Sequence, residues 1–160
     1  MTEAAAPEAP EDEVSLGHLA KDIFFVMRAL RAHLARENAS LFERHDVASG
    51  EIAIVSLIGL NPGISQKQLA ETVVLKKSAL TKVVNHLEQT GIIERRKEAD
   101  DKRFNALHLT ERGEALRAAM TPDMLAQQEQ VLSALSAAER GMLFELLWRV
   151  IDDNRSEAPG

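Results

Sequence analysis

Two short apolar runs enclose a highly charged segment near the middle of a chain that elsewhere has helical periodicity. The first run starts with Ile92 and Ile93, and the second is marked by Phe104, Leu107 and Leu109. The tip between them, KEADDK, is too polar to be buried. This pattern predicts a β-hairpin, and one hairpin among helices predicts a mainly α fold with a small β component.

The two helices predicted immediately before the hairpin are compact and closely spaced. Ser65 and Gln68 form a capping-box pair, which predicts a short helix over QKQLAETV. The next helix, KKSALTKVVNHLEQT, has an apolar stripe from Leu80 to Leu87, and Gly91 is placed to end it. Its opposite face carries hydrogen-bond donors or short polar groups and no acid: Lys77, Ser78, Thr81, Lys82 and Asn85. A second helix with an apolar back and a donor-rich front suggests a helix-turn-helix.

Helical periodicity also precedes this unit. A first helix is predicted from about residue 15 to 36, because apolar side chains recur there at helical spacing. The apolar segment SGEIAIVSLIGL follows, with Ser49 or Asp46 as its start and the turn Asn61–Gly63 as its end. The acidic residues 1–14, rich in Ala and Pro, are predicted to be a disordered tail.

Two further helices are predicted after the hairpin. Thr110 can cap the first, which we expect to kink near Pro122 because an interior proline loses one backbone hydrogen bond. Ser136 and Glu139 form a second capping-box pair, ahead of a last helix that is apolar on one face.

The predicted order of elements gives a fold that is mainly α with a small β-hairpin wing. Residues 15–160 are expected to form a single domain with a winged helix-turn-helix core over about residues 46–112. The terminal helices, over about residues 15–36 and 112–153, are strongly apolar on one face. Because the core cannot cover both faces, burial in a second copy of the chain is the simplest solution, and we predict a two-fold homodimer.

The distribution of charge separates the middle of the chain from its ends. The 160 residues carry a net charge of −6, which taken alone argues against binding nucleic acid. From Ser65 to Arg112, however, there are 10 basic and 7 acidic residues, whereas the rest of the chain has 9 basic and 18 acidic residues. A basic hairpin fits a wing along a phosphate backbone. On charge alone, a solvated face is an equally good interpretation.

Other classes of function find no support in the sequence. There is no cysteine, and the five histidines lack metal-site spacing, so we expect no metal site and no cofactor. There is no nucleophile elbow and no Gly-rich phosphate loop, so we expect no catalytic residues. No apolar run approaches the roughly 18 residues that span a bilayer, and the N-terminus lacks a signal-peptide pattern. We therefore expect no membrane partner and a cytoplasmic location.

The residues around the predicted wing resemble those of MarR-type transcriptional regulators. Asp101 and Arg103, followed after five residues by Leu109 and Thr110 and then by Gly113, are similar to the wing signature D-x-R-x5-L-T-x-x-G. The segment NHLEQTGIIERR is similar to the end of the recognition helix and the first wing strand in that family. The resemblance implies a homodimer with interleaved termini. Its recognition helices would occupy successive major grooves of a pseudo-palindromic operator in double-stranded DNA.

The resemblance also implies separate roles for the wing and the recognition helix. Arg103 would enter the minor groove, with Asp101 bracing it or the wing backbone. The recognition helix has no arginine, the residue that most often reads guanine, so discrimination would rest on its Ser, Thr, Asn and Lys side chains or on DNA shape. The predicted DNA-binding residues are Ser65, Lys76, Lys77, Ser78, Thr81, Lys82, Asn85, Arg95, Arg96, Asp101, Lys102 and Arg103.

A repressor released by a small anionic effector, an aromatic acid or its coenzyme A thioester, is a further implication of the resemblance. The candidate effector-binding residues are Phe24, Arg28, His33 and Arg36. An alternative, in which Phe24 and Phe25 belong to the dimer core and the arginines are solvated, fits the residues at least as well. The alternative function is a winged-helix protein-interaction module without specific DNA binding.

Overall fold

The chain divides into two compact units, one ending at Arg36 and one beginning at Glu37. The computed structural model describes three stretches of the chain, residues 14–73, 75–97 and 105–156. The predicted tail lies outside these stretches except for Val14. So do Asp101 and Lys102, predicted at the tip of the wing, and Arg103 and Phe104, predicted next to it.

The N-terminal unit contains a turn of 3-10 helix, Gly17–Lys21, and nearly all of helix α1, Ile23–Glu37. The prediction of one continuous helix from about residue 15 to 36 is wrong at Asp22. The backbone of Asp22 is extended, with φ −84° and ψ 118°, and its carboxylate accepts a hydrogen bond from the N–H of Phe25 at 2.7 Å. Because this bond satisfies an amide left over at a helix start, Asp22 separates the turn from α1.

The second unit combines helices with a three-stranded antiparallel sheet, which confirms the predicted fold class. Its helices are α2 (Ala39–His45), α3 (Ser49–Leu60), α4 (Gln66–Val73), α5 (Lys77–Gln89), α6 (Glu111–Val131) and α7 (Ala137–Ser156). Its strands are β1 (Ile64–Ser65), β2 (Ile93–Lys97) and β3 (Asn105–Leu109), in the order β1-β3-β2. In the described stretches, no helix is long and apolar enough to cross a bilayer.

The hairpin of β2 and β3 is the predicted one, and β1 adds a short third strand to it. The register of the hairpin runs from Ile93 opposite Leu109 to Lys97 opposite Asn105. The added strand pairs Ile64 with Leu107 and Ser65 with Ala106. It was not predicted, because two residues are too few to show the alternation that identifies a strand.

The helices around the hairpin begin where the sequence indicated. The Gln68 N–H donates to Ser65 Oγ and the Ser65 N–H donates to Gln68 Oε1, both at 3.0 Å. This reciprocal pair confirms the capping box at the start of α4. At the start of α6, Thr110 Oγ1 accepts a hydrogen bond from the N–H of Gly113 at 3.1 Å, which confirms Thr110 as the cap.

The second predicted capping box is also confirmed, at the start of α7. Ser136 donates to the Glu139 carboxylate from its N–H at 2.8 Å and from its hydroxyl at 2.7 Å. Both bonds favour the charged carboxylate, so they hold the pKa of Glu139 below its usual value. Helix α6 continues through Pro122, and the kink expected there stays a prediction.

Helix α2 was not predicted, and its presence means that the residues just before α3 end another helix. Asp46, one of the two predicted starts of α3, instead ends α2 in the left-handed conformation at φ 51°. Helix α3 begins at Ser49, the other predicted start. The N–H of Ala48 donates to Glu51 Oε2 at 2.8 Å, so a carboxylate on the first turn of α3 fixes the entry into the helix.

Helix α2 is held against α6 through Asp123. The Asp123 carboxylate accepts from Arg44 Nη1 at 2.8 Å and lies 2.9 Å from His45 Nε2. The hydrogen bond with His45 and then that with Arg44 keep the pKa of Asp123 below its ordinary value, because they stabilise the charged carboxylate.

The core of the second unit is formed by the inner faces of its helices and of the hairpin. The most completely buried side chains are Ile54, Val55, Ile58, Leu69, Leu80, Val84, Leu87, Ile93, Leu107 and Met120. Burying each of these contributes on the order of 1.5–3 kcal/mol. Leu80, Val84 and Leu87 form most of the apolar stripe predicted on α5, so the back of α5 is fixed to the core.

Candidate nucleic-acid interface

The face of α5 opposite the core forms what we call the donor face, made of Lys77, Ser78, Thr81, Lys82 and Asn85. All of these side chains are exposed except that of Thr81, which is half-buried. None of these five side chains is a carboxylate, and Glu88, on the same side of α5 near its C-terminal end, is paired with Arg95. The members of the donor face lie together because the core holds the other side of α5, as the periodicity of the sequence predicted.

Lysines also flank the N-terminal end of α5. Lys76 is the N-cap residue and Lys77 is the first residue of the helix, and both side chains are exposed. The N–H groups of a first helical turn carry partial positive charge. Together with two ammonium groups they form a local environment that favours a phosphate.

Thr81 is the member of the donor face whose hydroxyl is already hydrogen-bonded. Its Oγ1 donates to the Lys77 carbonyl at 2.8 Å and accepts from Gln66 Nε2 at 3.0 Å. A hydroxyl has one proton to donate, so Thr81 offers an acceptor rather than a donor in this arrangement. Gln66, the first residue of α4, was missed by the sequence analysis. Its bond to Thr81 spans 15 positions, and no local pattern indicates it.

Arg95 of β2 reaches back to α5 and bonds two of its side chains. Its Nη2 donates to Asn85 Oδ1 at 2.9 Å, and its Nη1 is paired with the Glu88 carboxylate. The Arg95 side chain is 25% exposed. Arg95 and Asn85, both predicted to bind DNA, are therefore bonded to each other at the edge of the donor face.

The next residues of β2 are directed to solvent. Arg96 Nε donates to Glu94 Oε1 at 3.0 Å, and the side chains of both residues are about half-exposed, at 58% and 44%. Ion pairs exposed to this degree contribute only about 0–1 kcal/mol, so Arg96 can exchange Glu94 for a phosphate at little cost. Lys97, the last residue of β2, is also exposed.

The C-terminal end of α5 is attached to the start of α6 by hydrogen bonds. Arg112 Nη1 donates to the Thr90 carbonyl at 2.7 Å. The Thr110 hydroxyl donates to the Gly91 carbonyl at 2.6 Å, and the Thr110 N–H donates to the Ile92 carbonyl at 3.0 Å. These bonds fix the direction in which α5 leaves the core, and of these contacts only the capping role of Thr110 was predicted from the sequence.

Ser65 was predicted to bind DNA, and the structure places it at the start of α4. Its hydroxyl takes part in the capping box, where it also donates to Gln68 Oε1 at 2.8 Å. The side chain is half-buried. A DNA contact by Ser65 would share this hydroxyl with the cap.

The four predicted effector-binding residues lie on α1. Phe24 is 83% exposed, whereas the Arg28 guanidinium lies over the ring of Phe25, 5.5 Å from its centroid. This distance is within the range of a cation–π contact. His33 and Arg36 are exposed.

A cavity of about 370 Å³ lies elsewhere, between α2, the start of α3 and His86 of α5. Its lining includes the carboxyl-bearing residues Glu43, Asp46 and Glu51, which would repel an anionic ligand. Within the described stretches, no group of three or more histidine, aspartate or glutamate side chains could hold a metal ion.

Comparison with known proteins identifies the family. A sequence profile of the MarR family matches residues 48–104. The chain is 32% identical over 148 residues to a proposed transcriptional regulator of the hcr operon of Thauera aromatica, covering 92% of this chain and 89% of that protein.

Solved structures show the same fold. The transcriptional repressor CouR, bound to a 23-mer DNA duplex, superposes with a TM-score of 0.79 at 19% identity, over 88% of this chain and 99% of CouR. A MarR family protein of Mycobacterium tuberculosis in complex with salicylic acid superposes with a TM-score of 0.63 at 22% identity, over 87% of this chain and 98% of that one. The hcr operon protein and CouR are described as transcriptional regulators. The chain belongs to the MarR family of winged helix-turn-helix transcriptional regulators.

Proposed function

We propose that this chain is a sequence-specific repressor that binds double-stranded DNA as a homodimer and is released by a small anionic aromatic effector. The donor face of α5 carries this proposal. It combines exposed lysines with amide and hydroxyl groups on a helix whose back is fixed to the core, and the Glu88 carboxylate on the same side is paired with Arg95. An exposed helix of this kind fits the major groove, where bases present acceptors to such side chains.

Affinity and specificity are expected to come from different residues. Lys76, Lys77 and Arg96 would neutralise phosphates, and Lys102 would add to them at the tip of the wing. Ser78 and Lys82 would contact bases, at roughly 1–3 kcal/mol for each good contact. Arg103 would enter the minor groove, and Asp101 would brace it. The DNA-bound state of CouR supports this use of the fold.

The homodimer is supported by apolar surface on the terminal helices. Helix α1 exposes 54% of Ile23 and 37% of Leu30, and α7 exposes 62% of Met142 and 48% of Leu146. Large apolar side chains that are exposed together commonly mark an interaction surface. A second copy would cover these faces and present two recognition helices to a pseudo-palindromic operator.

The effector proposal rests on α1. Arg28 with Phe25 offers a cation beside an aromatic ring, and Phe24, His33 and Arg36 are further exposed groups of the same helix. Such groups suit an aromatic carboxylate or its thioester, and the salicylic acid complex of the mycobacterial relative supports this class. An effector that prefers a dimer unable to bind DNA would release the operator by shifting populations.

The test is a DNA-binding titration with a matched pair of variants. Duplexes from beside the protein's own gene are titrated by fluorescence anisotropy with the wild type, Lys82→Ala and Lys67→Ala. Lys67 is an exposed lysine of α4 that lies within reach of Glu71, 3.9 Å away. We expect Lys82→Ala to lose about 5- to 100-fold in operator affinity and Lys67→Ala to lose far less. Equally small losses of operator affinity in both variants would contradict the proposal that the donor face binds DNA.

The same titration, repeated with a panel of aromatic acids and thioesters, tests the effector. Release of the operator by at least one aromatic anion, weakened in Arg28→Ala, is the expected result. A wild type that binds no duplex specifically would favour the alternative of a protein-interaction module.

A further inference from the structure

The guanidinium of Arg95 determines which end of the Asn85 amide is available for recognition. Arg95 Nη2 lies 2.9 Å from Asn85 Oδ1. A guanidinium has only donors, so the atom facing it must be the amide oxygen, because the amide nitrogen would place donor against donor. The Asn85 N–H groups are therefore on the side away from Arg95, and Asn85 is exposed.

Two further contacts keep Arg95 in this position. Its other terminal nitrogen, Nη1, is paired with Glu88, which lies three residues after Asn85 on α5 and thus on the same side of the helix. The Arg95 backbone is held in the sheet opposite Leu107, which is completely buried. The planar fork of arginine can hold both partners at once, which a lysine ammonium does less well.

Resting on the proposed DNA-binding function, we propose that Arg95 is a positioning residue that sets the base preference of Asn85. An asparagine reads adenine with both ends of its amide, accepting from N6 and donating to N7. Here the Arg95 N–H groups compete for the oxygen. Asn85 then presents donors, which suit the acceptors of guanine (N7 and O6) or thymine (O4) and disfavour the amino groups of adenine and cytosine.

The neighbouring arginine provides a matched control. Arg96 is paired only with Glu94 of its own strand, among the contacts that the described residues make, and it does not bond α5. Removing either arginine changes the net charge equally, and both side chains are on β2. Only Arg95→Ala frees the Asn85 amide to turn over.

The experiment measures base preference rather than affinity alone. Competition binding is measured for four proteins: the wild type, Arg95→Ala, Arg96→Ala and Asn85→Ala. The competitors of the labelled operator are unlabelled duplexes that carry each of the four bases in turn at each half-site position. We expect the wild type to discriminate at one position by about 5- to 100-fold in favour of guanine or thymine. Arg95→Ala and Asn85→Ala should reduce this to less than about 3-fold at that position only. Arg96→Ala should keep the preference while affinity falls for every duplex, with a salt slope smaller by about one per arginine lost.

A stability control separates positioning from folding. Thermal melting is recorded for each variant, and Arg95→Lys, which can still pair with Glu88, is included in case Arg95→Ala does not fold. Loss of preference at the same single position in a folded Arg95→Lys supports the inference. A uniform loss of affinity in the folded Arg95 variants, with the wild-type profile of base preference, overturns this inference alone. A wild-type protein without any base preference overturns both this inference and the proposed sequence-specific function.

Discussion

Gly113 of α6 lies directly against the backbone carbonyl group of Ile92. A Cβ atom at position 113 would overlap with the carbonyl oxygen and lie 3.1 Å from the carbonyl carbon and 3.2 Å from the Cβ of Leu109. The glycine that ends the D-x-R-x5-L-T-x-x-G signature is therefore required by close approach, since α6 could not begin so near the end of the recognition helix with any side chain there.

Replacing Gly113 by alanine is predicted to destabilise the fold. The new methyl group meets backbone rather than a flexible side chain, so α6 must shift, and we expect a loss of about 1–3 kcal/mol in the free energy of unfolding. Chemical denaturation measures it. Gly141→Ala in α7, where a Cβ would have nothing within 4 Å, should be neutral or slightly stabilising. A Gly113→Ala protein as stable as that control would contradict the packing described.

The apolar face of α7 is predicted to hold the dimer together. Leu146→Glu places a charge on this face, where Leu146 is 48% exposed, and we expect the molecular mass in solution to fall to that of one chain. Operator affinity should fall about 100-fold or more, because the two half-sites are no longer linked. Sedimentation measures the mass. Lys67→Gln changes the charge by the same amount at an exposed position of α4 and should leave the dimer intact. A Leu146→Glu dimer of unchanged mass would exclude the apolar face of α7 from the interface.

Asp123 is predicted to contribute a pH-dependent part of the stability. Its pKa is lower in the folded chain than the ordinary value of 3.8, because His45 and Arg44 bond its charged form. A carboxyl group whose pKa is lowered by folding stabilises the fold at pH values above its pKa in the unfolded chain. This stabilisation is lost as the pH falls through the pKa of the group in the folded chain.

The measurement compares Asp123→Asn with the wild type by denaturation between pH 2.5 and pH 6. We expect the variant to be less stable at pH 6 and the difference to shrink below about pH 4. Glu43→Gln, at an exposed carboxylate of α2, should show a much smaller change across the same range. A constant difference between Asp123→Asn and the wild type would rule out this linkage.

Arg103 is predicted to contribute to operator binding without contributing to stability. We expect Arg103→Ala to lose roughly 10- to 100-fold in operator affinity at an unchanged melting temperature. Lys102→Ala, at the adjacent position, should lose less and in proportion to one phosphate contact. Wild-type affinity in Arg103→Ala would reject the role in the minor groove.

Local signals in the sequence were sufficient for the parts of the fold that depend on neighbouring residues. Four such features act within one or two helical turns. They are the Ser65 cap, the Thr110 cap, the end of α5 at Gly91, which has φ 70°, and the apolar stripe that includes Leu80. Such patterns repeat with a period that can be counted, and the hairpin was found in the same way.

Contacts between residues that are distant in the sequence could not be predicted from these local signals. The bonds from Arg95 to Asn85 and from Gln66 to Thr81 depend on how the sheet and α4 pack beside α5. From the sequence, Arg95 was predicted only as one of the DNA-binding residues of the basic hairpin, because its charge is visible in the sequence and its partners are not. The break at Asp22 was missed for a related reason, since apolar periodicity continues across it while the capping bond acts on the backbone.

The most direct test of the central claim is the salt dependence of operator affinity. Counterion release gives a slope of about −0.9 for each phosphate neutralised in a plot of log affinity against log salt concentration. Two copies of the donor face and wing predict a steep slope, on the order of −4 to −8, that becomes shallower in Lys77→Ala and Arg96→Ala. A slope near zero, unchanged in both variants, would contradict the claim that these surfaces bind a DNA duplex.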